Sequence, residues 1–297
     1  MTTLVFHHGA LGDTVLTWPL LRAVGGATFI APMGKAKLSA QWIDGITPLD
    51  GDSAAFSRLF APDAEHDLDN ATLDLLRSAD RIVSFVSDGY DAWSANLWCI
   101  AENAQIHIVM PKPPSQLGQH VFQYHRAQLA DQHLSLEITI PPTHSVADGP
   151  VVIHPGSGAL SKCWHTDRFA ELIEHLESTG RRVILLLGEA ERYRWPDKLI
   201  ERWRRQYDLR EPDSLIELAD VITSASLYIG NDSGPTHLAA QLGLPTIALY
   251  GPTDPAVWAP IGPAVHILAP DACQPMTWLD VDTVIRVVDR CSRSALA

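Results

Sequence analysis

The strongest chemical signal in this sequence is a turn suited to binding an anion. Asp232-Ser233-Gly234 follows an apolar run and precedes Pro235, whose fixed φ suits the first position of a helix. Backbone N–H groups at a helix N-terminus attract phosphate, so we expect the amides of residues 233–237 to form a phosphate site. The alternative is that the polar side chains only cap and pack the helix. The candidate ligand-binding residues are Asp232, Ser233, Gly234, Thr236 and His237.

Two charged side chains follow other predicted turns. Asp13 comes after Gly9-Ala10-Leu11-Gly12. A carboxylate at such a strand-to-helix turn can either cap the helix or act as a general base. Lys162 follows Pro155-Gly156-Ser157-Gly158. Its ammonium can neutralise the charge of a diphosphate or remain a solvated loop group.

Further candidates lie beside predicted strand ends. An acidic residue that follows a buried strand can accept hydrogen bonds from ribose hydroxyls. Glu189 and Glu191 both have this position. His7 and His8 end the first apolar run. They could contact a ligand or influence Asp13, or they could be satisfied histidines near the surface.

Short apolar runs alternate with helical patterns, which predicts an α/β protein with parallel sheets. The predicted strands are 4–8, 27–31, 81–86, 105–110, 151–154, 182–187, 227–230 and 246–250. The predicted helices are 13–23, 35–42, 70–78, 120–131, 167–178, 190–206, 214–224, 235–242 and 280–291. The proline-rich segment 140–150 is the predicted linker. Each half opens with a strand, a glycine-containing turn and a helix, so both turns should lie at the carboxyl edge of a sheet.

Composition excludes several classes of protein. The net charge of −13 disfavours nucleic-acid binding, which needs basic side chains against phosphates. The four cysteines form no CxxC pair, which disfavours a zinc ribbon and favours reduced thiols. The N-terminus lacks a signal-peptide pattern, and no apolar run reaches the roughly 20 residues of a membrane span. These features predict a soluble cytoplasmic protein.

Four segments together resemble one known family. DSGPTHLAAQLGLPTIALYGPTDP, at residues 232–255, is similar to the signature of glycosyltransferase family 9, the ADP-heptose:lipopolysaccharide heptosyltransferases. The other three segments agree in order and spacing. They are HHGALGDTVLTWPLLRAV, VVIHPGSGALSKCWHTDRFAELIEHL and VILLLGEAERYR.

The resemblance implies a GT-B architecture, in which two Rossmann-like doubly wound domains face a central cleft. Residues 1–145 would bind the acceptor and residues 146–297 the nucleotide sugar, with the last helix able to pack back on the first domain. An inverting transferase needs one base on the acceptor hydroxyl and stabilisation of the leaving diphosphate. The resemblance assigns the first role to Asp13 and the second to Lys162. It also places Gly12 with the donor-binding residues, and its G-x-x-E spacing favours Glu191 over Glu189 there.

The same resemblance implies an ADP-heptose donor, a glycan or glycolipid acceptor, and no cofactor or essential metal. A UDP- or GDP-hexose donor remains an alternative, as does a non-catalytic module that only binds nucleotide or glycan. Arg194, Lys198 and Arg202 recur at helical spacing. They form either a solvated face paired with Glu201 or a surface for peripheral contact with an anionic membrane.

Overall fold

The computed structural model describes residues 1–114 and 118–294, without the side chains of residues 292–294. The chain divides into two compact units, Met1–Thr139 and Ile140–Ala297. The expected boundary lay after residue 145. The predicted linker belongs to the start of the second unit, where the His144 and Val146 N–H groups donate to the carbonyls of Gly243 and Ala225.

The first unit is a parallel five-stranded sheet with the strand order β3-β2-β1-β4-β5. Its strands are β1 (Thr3–His7), β2 (Ala27–Ala31), β3 (Ile46–Asp50), β4 (Arg81–Phe85) and β5 (Gln105–Ile108). Its helices are α1 (Leu11–Leu16), α2 (Trp18–Val24), α3 (Met33–Trp42), α4 (Ala54–Arg58), α5 (Asn70–Arg77), α6 (Ala92–Ile100) and α7 (Val121–Asp131).

The second unit is a parallel six-stranded sheet with the order β11-β10-β9-β6-β7-β8. Its strands are β6 (Val151–His154), β7 (Val183–Leu186), β8 (Asp208–Arg210), β9 (Leu227–Asn231), β10 (Thr246–Leu249) and β11 (Val265–Leu268). Its helices are α8 (Thr166–Ser178), α9 (Glu189–Arg194), α10 (Asp197–Gln206), α11 (Leu215–Thr223), α12 (Gly234–Gln241), α13 (Pro255–Trp258) and α14 (Val281–Ser294).

Both sheets have the doubly wound strand order that the sequence predicted. In each, the chain winds outward in one direction, then returns to the centre and winds the other way. The reversal lies between β1 and β4 in the first unit and between β6 and β9 in the second. Ligands of open parallel sheets bind at the carboxyl ends of the strands at this reversal. The turns after β1, β6 and β9 are therefore the candidate positions for a ligand site.

The strands of the central pairs are apolar over nearly their whole length because helices cover both faces of a parallel sheet. β1 and β6 have no exposed residue. In the second unit α14 packs on α8 and buries Val284 and Val288 in that unit's own core. Within the described ranges, no helix has the length and apolar character that crossing a membrane requires.

Two helices predicted as continuous are each divided by a proline, so those two predictions were wrong. The expected helix 13–23 is α1 and α2, which separate at Thr17, two residues before Pro19. The expected helix 190–206 is α9 and α10, which separate at Trp195 and Pro196. Proline lacks an N–H, and its ring crowds the carbonyl four residues earlier, so it ends or begins a helix.

Short elements with weak patterns were missed. The sequence did not predict the edge or near-edge strands β3, β8 and β11, nor helices α4, α6 and α13. β8 has three residues, and β3 contains Pro48, which depresses any strand prediction. Helix α6 buries Trp93, Leu97 and Ile100 but also exposes Trp98, so its apolar residues form no clean stripe. Tertiary pairing rather than local pattern forms these elements.

Candidate functional site

Three charged or polar side chains of the second unit meet at the carboxyl ends of β6 and β9. Lys162 Nζ lies 2.7 Å from Asp232 Oδ2, and His237 Nε2 lies 3.6 Å from Asp232 Oδ1. Burial alone would raise the pKa of Asp232, but the hydrogen bonds and charges of His237 and Lys162 lower it to about 2. Asp232 is therefore an anion at neutral pH. Lys162 keeps about a third of its side chain exposed, so it can also reach a ligand.

Helix α12 begins at Gly234 with Ser233 as its N-cap residue, one residue earlier than predicted. Neither Asp232 nor Ser233 caps it through a side chain. The Thr236 and His237 N–H groups donate to the Ser233 carbonyl at 3.1 and 3.3 Å, and Pro235 has no N–H. The expectation that all amides of 233–237 are available is therefore wrong. Among the described residues, only the Ser233 and Gly234 N–H groups of this turn have no acceptor.

A network of buried, hydrogen-bonded side chains stabilises this turn. Ser233 Oγ lies 3.3 Å from His154 Nδ1 and 3.1 Å from Thr236 Oγ1. The Thr236 hydroxyl in turn donates to the Asn231 carbonyl at 2.5 Å. Asn231 Nδ2 donates to the Pro155 carbonyl at 2.7 Å. Because each group has a partner, the turn after β9 is held to the turn after β6, which also orients Asp232.

The two candidate ribose acids occupy different environments. Glu191 is 3% exposed, and its Oε2 accepts the Gly188 N–H at 2.8 Å and lies 3.6 Å from His154 Nε2. Burial raises the pKa of Glu191, but the hydrogen bond and charge of His154 outweigh that effect, so the pKa lies below its ordinary value. Glu189 is exposed instead and lines a cavity. The structure thus separates a buried acid from an accessible one.

Gly156 lies directly against the buried carboxylate, and a Cβ added there would collide with Glu191. We predict that Gly156→Ala lowers the free energy of unfolding by about 1–3 kcal/mol, because overpacking forces the buried carboxylate or the turn to move. Gly158→Ala is the matched control, since a Cβ at Gly158 meets nothing within 4 Å. Urea denaturation measures both variants, and equal stability of the two would contradict the contact.

A cavity of about 280 Å³ opens beside these residues at the carboxyl ends of β6 and β7. This volume approaches the roughly 300 Å³ at which small-molecule sites begin. Its walls combine apolar side chains with polar groups. They are His154, Leu186, Leu187, Gly188, Glu189, Arg192, Pro212, Asp213, Ser214, Leu215, Leu218 and Pro235. A cavity that joins an apolar wall, an accessible carboxylate and the start of α12 can accept a nucleoside.

Arg194 holds the turn after β6, a role that the sequence did not reveal. Its guanidinium donates to the carbonyls of Ser157 and Gly158 at 3.1 and 2.6 Å. The expected face of Arg194, Lys198 and Arg202 is not continuous, because Pro196 separates α9 from α10. No local signal distinguishes Arg194 from the other arginines, since its acceptors lie more than 35 positions earlier in the chain.

The turn after β10, which ends the segment 232–255 that resembles the family signature, has a structural role. Asp254 Oδ1 accepts the Ala256 N–H at 2.8 Å and so caps α13. The Gly251 carbonyl accepts the Gln274 N–H at 3.0 Å. These contacts agree with the ordinary turn chemistry of proline and aspartate.

In the first unit, Asp13 is partly buried in the first turn of α1. Its Oδ2 accepts the N–H of Ala10, the N-cap residue, at 3.1 Å. Gly12 lies beside it as the second residue of the same helix. Asp13 therefore does contribute to the helix terminus, while a carboxylate can use its second oxygen for other contacts.

The two histidines that end β1 differ in their surroundings. His7 is 2% exposed, so it is not the near-surface histidine that one interpretation expected. His8 is partly buried, with Nδ1 4.0 Å from Asp52 Oδ1. Burial lowers the pKa of His8. The charge of Asp52 partly offsets this effect, and the charge of Lys35 adds to it. Across the described part of the chain, no three His, Cys, Asp or Glu side chains lie close enough to hold a metal ion.

Comparison with protein families identifies one match. The model described as "Glycosyltransferase family 9 (heptosyltransferase)" matches residues 97–278, which include Lys162, Glu191 and the whole turn from Asp232 to His237. Asp13 and Gly12 lie outside the matched range.

Two curated relatives differ in how much of the chain they cover. Lipopolysaccharide heptosyltransferase 3 of Escherichia coli (strain K12) is 35% identical over 118 residues, 39% of this chain. That alignment covers 34% of the relative, so it spans about a third of that protein's length. Lipopolysaccharide heptosyltransferase 1 of Salmonella typhimurium is 24% identical over 291 residues, which cover 86% of this chain and 90% of the relative.

The fold also matches a solved structure. The E. coli heptosyltransferase WaaC with ADP has a TM-score of 0.72 at 19% sequence identity, covering 98% of this chain and all of that one. The match and the two parallel sheets confirm the predicted α/β GT-B fold class.

Proposed function

Because this chain belongs to glycosyltransferase family 9, the heptosyltransferase family, we propose that it transfers a heptose or a related sugar from an ADP-sugar to a saccharide of the lipopolysaccharide type, with inversion at the anomeric carbon. The observation that carries the proposal is the cluster of Lys162, Asp232 and His237 at the strand reversal of the second unit. A cationic group beside the start of a helix is what a leaving diphosphate requires.

In the proposed reaction, Asp13 removes the proton of the acceptor hydroxyl. The acceptor oxygen then forms a bond to the anomeric carbon, while the bond from that carbon to the diphosphate breaks and the electron pair leaves with ADP. Lys162 and the free Ser233 and Gly234 N–H groups stabilise the charge that builds on the diphosphate. Asp232 and His237 orient Lys162, Thr236 supports the turn, and Gly12 is a proposed contact of the donor.

The proposed donor is an adenine nucleotide sugar, and the cavity beside β6 and β7 would take its nucleoside. Support comes from the solved relative with ADP and from the apolar wall of the cavity. The acceptor would be a glycan or glycolipid, and a glycolipid would bring the protein to a membrane surface. The family resemblance implies that no cofactor or metal is needed, so we expect full transfer in EDTA.

A nucleotide panel tests the proposal directly. Calorimetry with ADP, UDP and GDP is expected to show the tightest binding for ADP. Incubation with ADP-heptose and a lipopolysaccharide-type acceptor is expected to release ADP and extend the acceptor. Preference for UDP or GDP would favour a hexose transferase of the same fold. ADP binding without transfer to any acceptor would favour a non-catalytic binding module, and no nucleotide binding would refute the whole proposal.

The accessible and buried acids should respond differently to neutralisation. The family resemblance favoured Glu191 at the ribose, whereas we propose Glu189, because of these two acids only Glu189 lines the cavity. Glu189→Gln is expected to weaken ADP binding about tenfold, the worth of one hydrogen bond to a charged group. Glu191→Gln is expected to lower the free energy of unfolding by about 1–3 kcal/mol, because the buried contact with His154 is weakened.

Calorimetry with ADP and urea denaturation of both variants separate the role of Glu189 in binding from the role of Glu191 in stability. The reverse result, in which Glu191→Gln weakens binding without loss of stability, would return the ribose to Glu191.

A further inference from the structure

We propose that His7 is a positioning residue whose Nδ1 holds the turn that carries Asp13 in its working geometry. This inference rests on the proposed function, since it concerns the group that acts as the base. His7 ends β1, and Asp13 lies six positions later in the first turn of α1. The position of the Asp13 carboxylate therefore depends on the conformation of the turn between β1 and α1.

One group of the turn and one of helix α1 converge on a single nitrogen of His7. The Gly9 N–H donates to His7 Nδ1 at 3.1 Å. The Thr14 hydroxyl lies 3.1 Å from the same nitrogen and also 3.0 Å from the Ala10 carbonyl. Because Nδ1 accepts from a backbone amide, it carries no proton, so the ring is the tautomer protonated at Nε2. A single side chain thus contacts the turn at its start and the helix just after Asp13.

The ring is buried in a way that preserves this tautomer. His7 is 2% exposed, and its ring centroid lies 5.7 Å from that of Phe85 and 6.4 Å from that of Phe29. Burial, reinforced by the charges of His125, Lys35 and His8, lowers the pKa of His7 to about 3. The ring is therefore neutral over the whole range in which a transferase would be assayed, and Nδ1 remains an acceptor.

Packing makes His7 and Asp13 parts of one tight unit around Gly9. A Cβ added at Gly9 would lie 2.7 Å from His7 Cε1 and 2.8 Å from Asp13 Cβ. The Gly9 carbonyl is also held, since Lys35 Nζ donates to it at 2.5 Å. Movement of the His7 ring would therefore be transmitted to the backbone next to Asp13, and the position of the carboxylate would change.

The test compares two replacements of His7 in the full-length protein. Asparagine places a carbonyl oxygen near the position of Nδ1 and can accept the Gly9 N–H, whereas leucine fills similar space without an acceptor. His7→Leu is expected to lower kcat roughly 10- to 100-fold, the usual effect of misplacing a reacting group by about 1 Å. His7→Asn is expected to recover most of the loss. The Kd for ADP should be unchanged in both, because His7 lies in the other unit from the proposed nucleotide residues.

A purely structural role would give a different pattern. Loss of kcat to the same extent in both variants, or loss that follows the fall in melting temperature, would overturn the inference. The pH profile of kcat in His7→Asn should match the wild type, because a neutral ring contributes no titration. A shifted profile would mean that His7 titrates with its neighbours His125, Lys35, His8 and Asp13, which also overturns it.

A second pair of variants serves if His7→Leu does not fold. Thr14→Val removes the hydroxyl that contacts Nδ1, and Thr14→Ser keeps it. A lower kcat in Thr14→Val but not in Thr14→Ser supports the inference, and equal values overturn it. Absence of transfer by the wild-type protein would refute the proposed function and this inference with it, whereas wild-type kcat in His7→Leu would refute the inference alone.

Discussion

Asp13→Asn is expected to reduce sugar transfer by about 10²–10⁴-fold, the contribution that a positioned general base makes to a rate. The amide oxygen of asparagine can still accept the Ala10 N–H that Asp13 accepts at 3.1 Å. The start of α1 should therefore stay intact while the basic group is lost. Alanine would remove both functions and would lower stability by about 1 kcal/mol through the lost cap. Asparagine isolates the chemistry from the structure.

Three measurements make this prediction specific. The Kd for ADP should stay at the wild-type value, because the nucleotide residues lie in the other unit. The melting temperature should also stay, which separates lost chemistry from lost folding. Asp69→Asn is the matched control in the same unit, since Asp69 Oδ1 accepts the Thr72 N–H at 2.7 Å and caps α5. Unchanged transfer in Asp13→Asn would remove Asp13 from the mechanism and leave it only its helix-capping role.

Lys162→Met is expected to lower kcat by about 10²–10³-fold, the effect of removing one group that stabilises developing negative charge. Methionine keeps much of the length and apolar stem of lysine but has no charge. The reacting diphosphate would then lie near Asp232, whose anion would have lost its ion pair with Lys162 and kept the contact with His237. Repulsion between the two anions should also weaken ADP binding, so that both Kd and kcat change.

The control for this variant is Lys198→Met, which makes the same charge change at an exposed position of α10. It should leave kcat and the Kd for ADP unchanged. If both lysine variants lost activity equally, the cause would be the net charge of the protein rather than the contact with Asp232. If neither changed kcat, Lys162 would have no part in stabilising the leaving group.

The sequence identified the turns that matter because their signals are local. Asp232-Ser233-Gly234-Pro235 combines a turn with a proline suited to the start of a helix, and that combination can be interpreted without knowledge of the fold. The alternation of apolar runs with helical patterns likewise predicted the parallel sheets, and the family resemblance implied their doubly wound order. The breaks in the predicted helices at Pro19 and Pro196 also have a local cause, but the sequence analysis treated each helix as continuous. A proline near the start of a second helix was not distinguished from one within a single longer helix.

Contacts between distant residues were decided only by the tertiary structure. Lys162 and Asp232 are 70 positions apart, and Arg194 lies 36 positions from the carbonyl it contacts at Gly158. The family resemblance favoured Glu191 over Glu189 at the ribose, because the sequence does not show that Glu191 is buried against Gly156 and His154. Local composition determines which turns form and which residues they carry. The strand order determines which of those turns are neighbours, because parallel strands bring the ends of distant segments to one edge of a sheet.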